Sequence, residues 1–277
     1  MGVNLFDAWK KLPSGGKRRA REFFYEGLAR FRPTPDVVFM NFGYAEDDGA
    51  PRIELSEEDE RNRYALQLYN CVARQADWRG LDALEVGSGR GGGASYVMRT
   101  YQPKSYLGVD LAKNAIDFCQ RTHHVDGLRF QQGDAMNLPL ADSSVDLVIN
   151  IESSGLYPKV ARFYREVHRV LRPGGRFLCA DYRKTVNLHR WHEHIEESDL
   201  NLIRQIDITE NVARALVLDR QNREEMISAH VPAFLRPTFL DFAGLPPDQD
   251  EPFGQRKKTY LCFELQKPAP DGEAAPE

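Results

Sequence analysis

The chain has 277 residues, 42% hydrophobic and 28% charged, which is enough to bury a sizeable core in one large α/β domain with an extension. Its net charge of -4 argues against a nucleic-acid-binding protein, because such proteins carry clustered excess Lys and Arg. The four cysteines lack CxxC spacing, so neither a metal site nor a disulfide framework is expected. No apolar run has the length of a membrane span, and we expect a cytoplasmic protein without stable membrane insertion.

The first 80 residues are predicted to form a helical extension. Apolar and aromatic positions between Leu5 and Arg32 are interspersed with a basic cluster, as in an amphipathic helix, and Pro33 ends it. This helix is a candidate subunit contact in a homo-oligomer. A second helix is predicted from Ser56, a good N-cap followed by acidic residues, to about Gln75.

From Leu81 the sequence alternates between short apolar runs and amphipathic stretches, which is typical of βαβ units and a parallel sheet. The predicted strands cover residues 82–86, 105–110, 128–132, 145–150 and 176–181. The predicted helices between them cover residues 92–101, 112–122 and 159–170. Residues 81–182 therefore form the predicted core.

The sequence after Asp181 is helical and charged to about His230, then aromatic and proline-rich. Residues 183–257 are therefore predicted to be an inserted lid or substrate wall. Alternating side chains predict the final core strand at residues 258–267. The low-complexity tail, residues 268–277, is predicted to be disordered.

The most specific pattern is the run Ala-Leu-Glu-Val-Gly-Ser-Gly-Arg-Gly at residues 83–91, which places Glu85 at the end of an apolar strand just before a glycine-rich turn. Such a turn binds a nucleotide through close backbone approach and the next helix N-terminus. A carboxylate beside it repels a pyrophosphate and favours a cationic ligand. The pattern therefore favours S-adenosylmethionine over NAD or ATP.

Further polar positions follow the next strands. Asp110 lies about 19 residues beyond the glycine turn, at the distance where an acidic side chain accepts hydrogen bonds from ribose hydroxyls. Asp134 suits the exocyclic amine of adenine, and Ala135 offers a backbone amide. The strand exit at Ile151 lies where ligands of open α/β sheets bind. The candidate cofactor contacts are Glu85, Gly87, Ser88, Gly89, Asp110, Leu111, Asp134, Ala135 and Ile151.

These features together resemble the motif series of class I S-adenosylmethionine-dependent methyltransferases. The matching motifs, in chain order, are residues 85–91, Asp110, residues 133–135, residues 146–148 and residues 171–175. The resemblance implies a Rossmann-like α/β fold, with a seven-stranded, mostly parallel sheet, helices on both faces and an antiparallel final hairpin. Four shorter segments are more narrowly similar to actinobacterial lipid and natural-product methyltransferases of the phthiotriol O-methyltransferase type: residues 41–44, 91–96, 150–158 and 230–235.

The resemblance implies methylation of a small hydrophobic metabolite, such as a polyketide, terpenoid or lipid, on oxygen or carbon. The candidate catalytic residues are Tyr44, Tyr157 and Glu152. Gly155 lies where the resembled group carries a histidine, which leaves C-methylation through a cation open, with the two tyrosine rings stabilising the charge. A polar sugar, amine or sterol-like acceptor and a non-catalytic donor-binding protein also remain open.

The predicted insertion contributes candidate substrate-pocket residues. These are His189, His192, His230 and Phe234. A histidine there would supply a base, and the aromatic residues would form an apolar wall. No third ligand accompanies the first two histidines at a convincing spacing, so no metal is expected.

Overall fold

The computed structural model describes residues 38–245, 253 and 256–269. The predicted helix between Leu5 and Arg32, with its subunit contact, lies outside these residues, as does the predicted tail beyond Ala269. Within the described part of the chain, no helix is long and apolar enough to cross a membrane.

A seven-stranded sheet forms the centre of the fold, with the strand order β3-β2-β1-β4-β5-β7-β6. The strands are β1 (Asp82–Val86), β2 (Ser105–Asp110), β3 (Leu128–Gln132), β4 (Val145–Ile151), β5 (Leu171–Lys184), β6 (Asn201–Asp207) and β7 (Lys258–Gln266). Strands β1 to β5 are parallel, and β7 is antiparallel to both of its neighbours. This sheet confirms the predicted Rossmann-like α/β fold.

Helices cover both faces of the sheet. They are α1 (Glu57–Glu60), α2 (Arg63–Ala73), α3 (Gly92–Tyr101), α4 (Lys113–Thr122), α5 (Val160–Val170), α6 (Leu188–Glu196), α7 (Thr209–Leu218), α8 (Arg220–His230) and α9 (Arg236–Phe242). The predicted N-cap is confirmed, because the Ser56 hydroxyl accepts a hydrogen bond from the Asp59 N–H at 3.2 Å. The single helix predicted from Ser56 to about Gln75 is instead the pair α1 and α2.

Strand alternation divides the core into two layers. On one face, Leu84 of β1 packs in a cluster with Phe163 of α5 and Trp191 of α6. On the other face, Ala83 belongs to a cluster that contains Leu66 of α2 and residues of α3, α4 and α7. Successive strand residues point to opposite faces, so each apolar strand supplies both layers.

Strand β6 is the element that the sequence pattern does not reveal. The helical prediction for the region after Asp181 is wrong over Asn201–Asp207, which form the edge strand paired with β7. All seven residues are exposed, so burial imposes no alternation on their sequence.

The edge strand also redefines the predicted insertion. Helix α6 is the connection between β5 and β6, and it packs on the α5 face of the sheet. Residues 208–257, which include α7, α8 and α9, are the segment placed between the antiparallel neighbours β6 and β7. We refer to residues 208–257 as the insertion from here on.

Candidate active site

The turn after β1 depends on glycine. Gly87 and Gly89 have φ angles of +79° and +53°, in the left-handed region that disfavours a side chain. A Cβ atom on Gly87 would lie 2.0 Å from Ser153 Oγ. The turn therefore lies against the segment that leaves β4, where the strand order of the sheet reverses and open α/β sheets bind ligands.

Asp110 at the end of β2 holds this turn in place. Its Oδ2 accepts a hydrogen bond from the Gly89 N–H at 2.8 Å, and its Oδ1 accepts one from the Ala112 N–H at 2.9 Å. Burial raises the pKa of the Asp110 carboxyl, and the backbone donors oppose that shift. A carboxylate has about four acceptor sites, so two bonds leave capacity for ligand hydroxyls. The next residue, Leu111, is 45% exposed.

Glu85 lies on the face of the sheet that α2 covers, and its side chain is buried. Its two carboxyl oxygens accept hydrogen bonds from the hydroxyls of Tyr69 (2.8 Å) and Tyr106 (3.0 Å). Burial raises the pKa of Glu85 to about 7. The carboxyl group therefore links β1 to α2 and β2, whereas the sequence pattern predicts a group that faces a cationic ligand.

The turn after β3 borders an open space. Asp134 Oδ1 accepts a hydrogen bond from the Met136 N–H at 2.9 Å, which shapes the turn that also contains Ala135. A cavity of about 210 Å³ lies between this turn and the start of α5. Its lining residues are Asp134, Met136, Asn137, Pro158, Lys159 and Arg162.

The end of β4 is fastened to β1 by a buried side chain that the sequence analysis did not select. Asn150 donates hydrogen bonds to the Val86 carbonyl at 2.7 Å and to the Tyr157 hydroxyl at 3.2 Å. The Tyr157 hydroxyl also shares a 2.6 Å hydrogen bond with Ser153 Oγ. A polar residue within the apolar run of residues 147–151 is the signal that identifies Asn150. Ile151, the last residue of β4, is buried beside it.

Glu152 follows β4 with a φ angle of +50°, which is uncommon for a residue other than glycine. Its Oε1 accepts hydrogen bonds from the Phe42 N–H at 2.8 Å and the Tyr260 hydroxyl at 2.9 Å. Burial raises the pKa of Glu152 to about 8, and the nearby Asp181 carboxylate acts in the same direction. The exit of β4 therefore holds a carboxyl group whose pKa lies close to neutral pH.

Aromatic rings surround this carboxyl group. Phe42 stacks on Tyr182 with ring centroids 5.1 Å apart, and Phe253 meets both rings edge-on. Tyr260 lies against Tyr182 at 6.2 Å. We call these four side chains the aromatic cluster. Its members come from separate parts of the sequence, and their spacing carries no signal that predicts the cluster.

Tyr44 lies elsewhere. Its side chain is buried, its hydroxyl hydrogen-bonds to Cys71 of α2, and its pKa is raised chiefly by burial. Phe42, two residues earlier, contacts Glu152 instead. The structure therefore does not bring Tyr44 together with the other two predicted catalytic residues.

Gly155 leaves room for an arginine at the position where the resembled group carries a histidine. A Cβ atom on Gly155 would lie 2.7 Å from Arg183 Nη1. Arg183 is held there by an ion pair with Asp181 at 3.0 Å and by a hydrogen bond to Ser154 Oγ at 2.8 Å. A larger residue at position 155 would displace this guanidinium group.

Comparison with known proteins identifies the family. Residues 84–179 match a family model described as a methyltransferase domain. The chain is 44% identical over 219 residues to the fatty-acid O-methyltransferase of Mycolicibacterium smegmatis, covering 79% of this chain and 80% of that protein. It is 39% identical over 249 residues to the phthiotriol/phenolphthiotriol dimycocerosates methyltransferase of Mycobacterium tuberculosis, covering 89% and 92%. The chain belongs to the S-adenosylmethionine-dependent methyltransferases.

The fold of this methyltransferase also matches solved structures. One is the geranyl diphosphate C-methyltransferase from Streptomyces coelicolor in complex with Mg²⁺, geranyl diphosphate and S-adenosyl-L-homocysteine. The TM-score is 0.60 at 16% identity, and the match covers 88% of this chain and 97% of that one. At this identity the likeness concerns the fold alone. The predicted cofactor, S-adenosylmethionine, is that of the family.

The predicted pocket residues of this methyltransferase come from two parts of the chain. His189 and His192 lie on α6 outside the insertion, and the His192 ring packs edge-on against Phe263 of β7 at 5.8 Å. His230 ends α8 within the insertion, and Phe234 is 79% exposed. The assignment of these four residues to the substrate pocket stays a prediction. Within the described residues, no group of three or more His, Cys, Asp or Glu side chains is placed to hold a metal ion.

Proposed function

We propose that this methyltransferase methylates an oxygen atom of a small lipid-like acceptor, with Glu152 as the general base. The observation that carries this proposal is the Glu152 carboxyl group, which lies at the exit of β4 among the aromatic cluster. A base within such apolar surroundings suits an acceptor whose reacting O–H group is attached to a hydrocarbon body. The relatives named for fatty acids and phthiotriol support the same acceptor class.

The residues at the carboxyl ends of β1, β2 and β3 fit the donor. The backbone of the turn at Gly87, Ser88 and Gly89 permits close approach, and Asp110 has acceptor sites for the two ribose hydroxyls. Asp134 and Ala135, beside the 210 Å³ cavity, would bind the adenine. Leu111 and Ile151 would contact the same nucleoside. S-adenosylmethionine, when bound, supplies a methyl group on a positively charged sulfur.

Glu152 can take the role of base that a histidine at position 155 would have. A methyl acceptor that is an alcohol must lose its proton, and the histidine of the resembled group is replaced here by glycine. Glu152, with its pKa raised to about 8, supplies a base in its place. O-methylation therefore needs no histidine at position 155, and the route through a carbon cation is not favoured.

The pH profile tests this proposal. Glu152 acts as a base only when ionised, so for a hydroxyl acceptor kcat is expected to rise with pH through about 8 and then level off. A fatty acid is already ionised near neutral pH, so its methylation is expected to lack this rise. Initial rates with a long-chain alcohol and a fatty acid of equal length, between about pH 6 and about pH 10, distinguish the two acceptors. Flat profiles with both acceptors would contradict the role of Glu152.

Glu85→Gln separates two roles of the Glu85 carboxyl group. The folded-state pKa of about 7 exceeds the ordinary value of 4.5, so the stability that this group contributes is lost as pH rises through 7. The variant without donor is therefore expected to be more stable than the wild type at about pH 8, by roughly 1–3 kcal/mol. If Glu85 also attracts the ammonium group of the donor, the same variant binds S-adenosylmethionine more weakly. Denaturant unfolding measures the change in stability, and calorimetry measures the donor affinity. Unchanged donor affinity would mean that Glu85 only accepts the hydrogen bonds of Tyr69 and Tyr106 and does not bind the donor.

We further infer a cytoplasmic protein that forms homo-oligomers through its N-terminal residues. The acidic pI of about 6.0 and the amphipathic pattern between Leu5 and Arg32 support these two inferences.

A further inference from the structure

Arg223 of α8 is a buried arginine that joins the insertion to the start of the described chain. Its guanidinium group donates hydrogen bonds to the carbonyl oxygens of Asn41 and Phe42, each at 3.1 Å, and to the Ala243 carbonyl at 3.4 Å. Asp219, the N-cap residue that precedes α8, balances the charge through a 2.8 Å ion pair. Desolvating an arginine is costly, so this position depends on all of these partners together.

The contact continues to the proposed base. The same Phe42 whose carbonyl is bound by Arg223 donates its N–H to Glu152 Oε1 at 2.8 Å. Arginine suits this place because its planar fork reaches two successive carbonyls at once, which the single ammonium group of lysine does not. An unbroken series of hydrogen bonds therefore runs from α8 of the insertion, through one peptide segment, to Glu152.

We propose that Arg223 is a positioning residue, which holds the Phe42 N–H against the Glu152 carboxyl group. This inference rests on the proposed function, because it assumes that Glu152 exchanges the acceptor proton. The contact of α8 with residues 41 and 42 thus completes the surroundings of the base.

Several groups face Glu152 from the elements packed around it. Asp181 of β5 raises the pKa of Glu152, whereas the Phe42 N–H, the Tyr260 hydroxyl of β7 and Arg223 of α8 lower it. Tyr69 of α2 and Tyr182 of β5 also lie close enough to interact with the carboxylate, and their own pKa values are raised by it. Loss of Arg223 removes a positive charge and loosens the Phe42 donor, and both effects favour protonated Glu152.

The test compares Arg223→Gln with Arg220→Gln in the full-length chain, using a long-chain alcohol as acceptor. Arg220 lies on the same helix but is exposed, where it pairs with Glu224 at 3.3 Å. Arg223→Gln is expected to lower kcat at pH 7 by roughly tenfold and to move the midpoint of the pH profile upward by about one unit. Affinity for S-adenosylmethionine is expected to change less than about twofold, because the inferred effect is on the base. Arg220→Gln should match the wild type in all three measurements.

Hydrogen exchange provides a readout that does not depend on turnover. The Phe42 amide is expected to exchange at least about tenfold faster in Arg223→Gln than in Arg220→Gln. Arg223→Lys keeps the charge but not the planar guanidinium group, so it should show the same changes at smaller size. This variant replaces Arg223→Gln in the test if the glutamine variant does not fold.

The outcomes separate the two claims. An unchanged pH midpoint together with unchanged Phe42 exchange in Arg223→Gln would overturn the role of Arg223, while an inactive Glu152→Gln would still support the base. A lower kcat with the wild-type midpoint would also overturn the role of Arg223, because that result reflects only weaker packing of the insertion. Full activity of Glu152→Gln would overturn both claims.

Discussion

Replacing Glu152 with glutamine is expected to lower kcat for a hydroxyl acceptor by about 10²- to 10⁴-fold, the usual contribution of a positioned general base. Glutamine has nearly the same shape, and its carbonyl oxygen can still accept hydrogen bonds from the Phe42 N–H and the Tyr260 hydroxyl. The aromatic cluster is therefore expected to stay in place. Turnover with saturating donor, together with calorimetric affinity for S-adenosylmethionine, checks that the loss lies in the chemical step.

Glu264→Gln is the matched control for this variant. Glu264 is also a buried carboxylate of the sheet, four residues beyond Tyr260 on β7, where it pairs with Arg176 at 3.0 Å. Its replacement is expected to reduce stability through the unpaired arginine without removing activity. If the two variants lost activity equally, or if Glu152→Gln turned over like the wild type above about pH 8, Glu152 would not be the base.

The second large effect is expected for Asp110→Ala, which should weaken binding of S-adenosylmethionine by roughly 100-fold or more. In the wild type, the Asp110 carboxylate is expected to accept hydrogen bonds from the two ribose hydroxyls. Hydrogen bonds to a charged acceptor contribute about 1.5–3 kcal/mol each. The change also releases the Gly89 N–H, which Asp110 holds at 2.8 Å, so the glycine turn loses its fixed shape. Calorimetric titration of the donor measures this loss.

Asp117→Ala is a control for the loss of an acidic side chain, because Asp117 belongs to the helix that follows β2. Asp117 lies on α4, where it pairs with Lys113 at the surface. The Asp117 variant is expected to bind the donor as the wild type does, and thermal unfolding should show that both variants are folded. An Asp110→Ala protein with wild-type affinity would remove this carboxylate from the donor site.

Strands β1 and β2, which carry two of the donor motifs, were predictable because burial on both faces of a parallel sheet makes them apolar and short. Strands β1, β2 and β3 begin and end at the predicted residues. Strand β5 extends beyond its prediction because Leu171 pairs with Val145 and Arg183 pairs with Thr259. Strand β6 was not predictable, because an exposed edge strand is defined by its hydrogen bonds to β7 and not by a pattern of buried side chains.

The active site was predictable only in part, for a related reason. Asp110 is the last residue of its strand, so sequence order alone places it at the ligand-binding edge. The surroundings of Glu152 depend instead on Phe42, Tyr182 and Tyr260. Phe42 and Tyr260 are each more than 100 residues from Glu152 in the sequence, so these side chains meet only after folding. The same limitation explains the prediction for Tyr44. A motif indicates where a segment lies, but not which of its residues contacts Glu152.

The place of the insertion in the sheet has a consequence for how new specificities arise. Asp207, the last residue of β6, pairs with Leu261 of β7, so the insertion leaves the sheet three residues from Lys258, where the chain returns to it. Because α7 at the start of the insertion packs in the core, we expect the strand order and the donor-binding turns to stay intact only when a segment of another length replaces residues beyond α7. If this segment contacts the acceptor as proposed, we expect acceptor preference to diversify through it, in evolution or by engineering, provided that the replacement retains an arginine in reach of the Asn41 and Phe42 carbonyls.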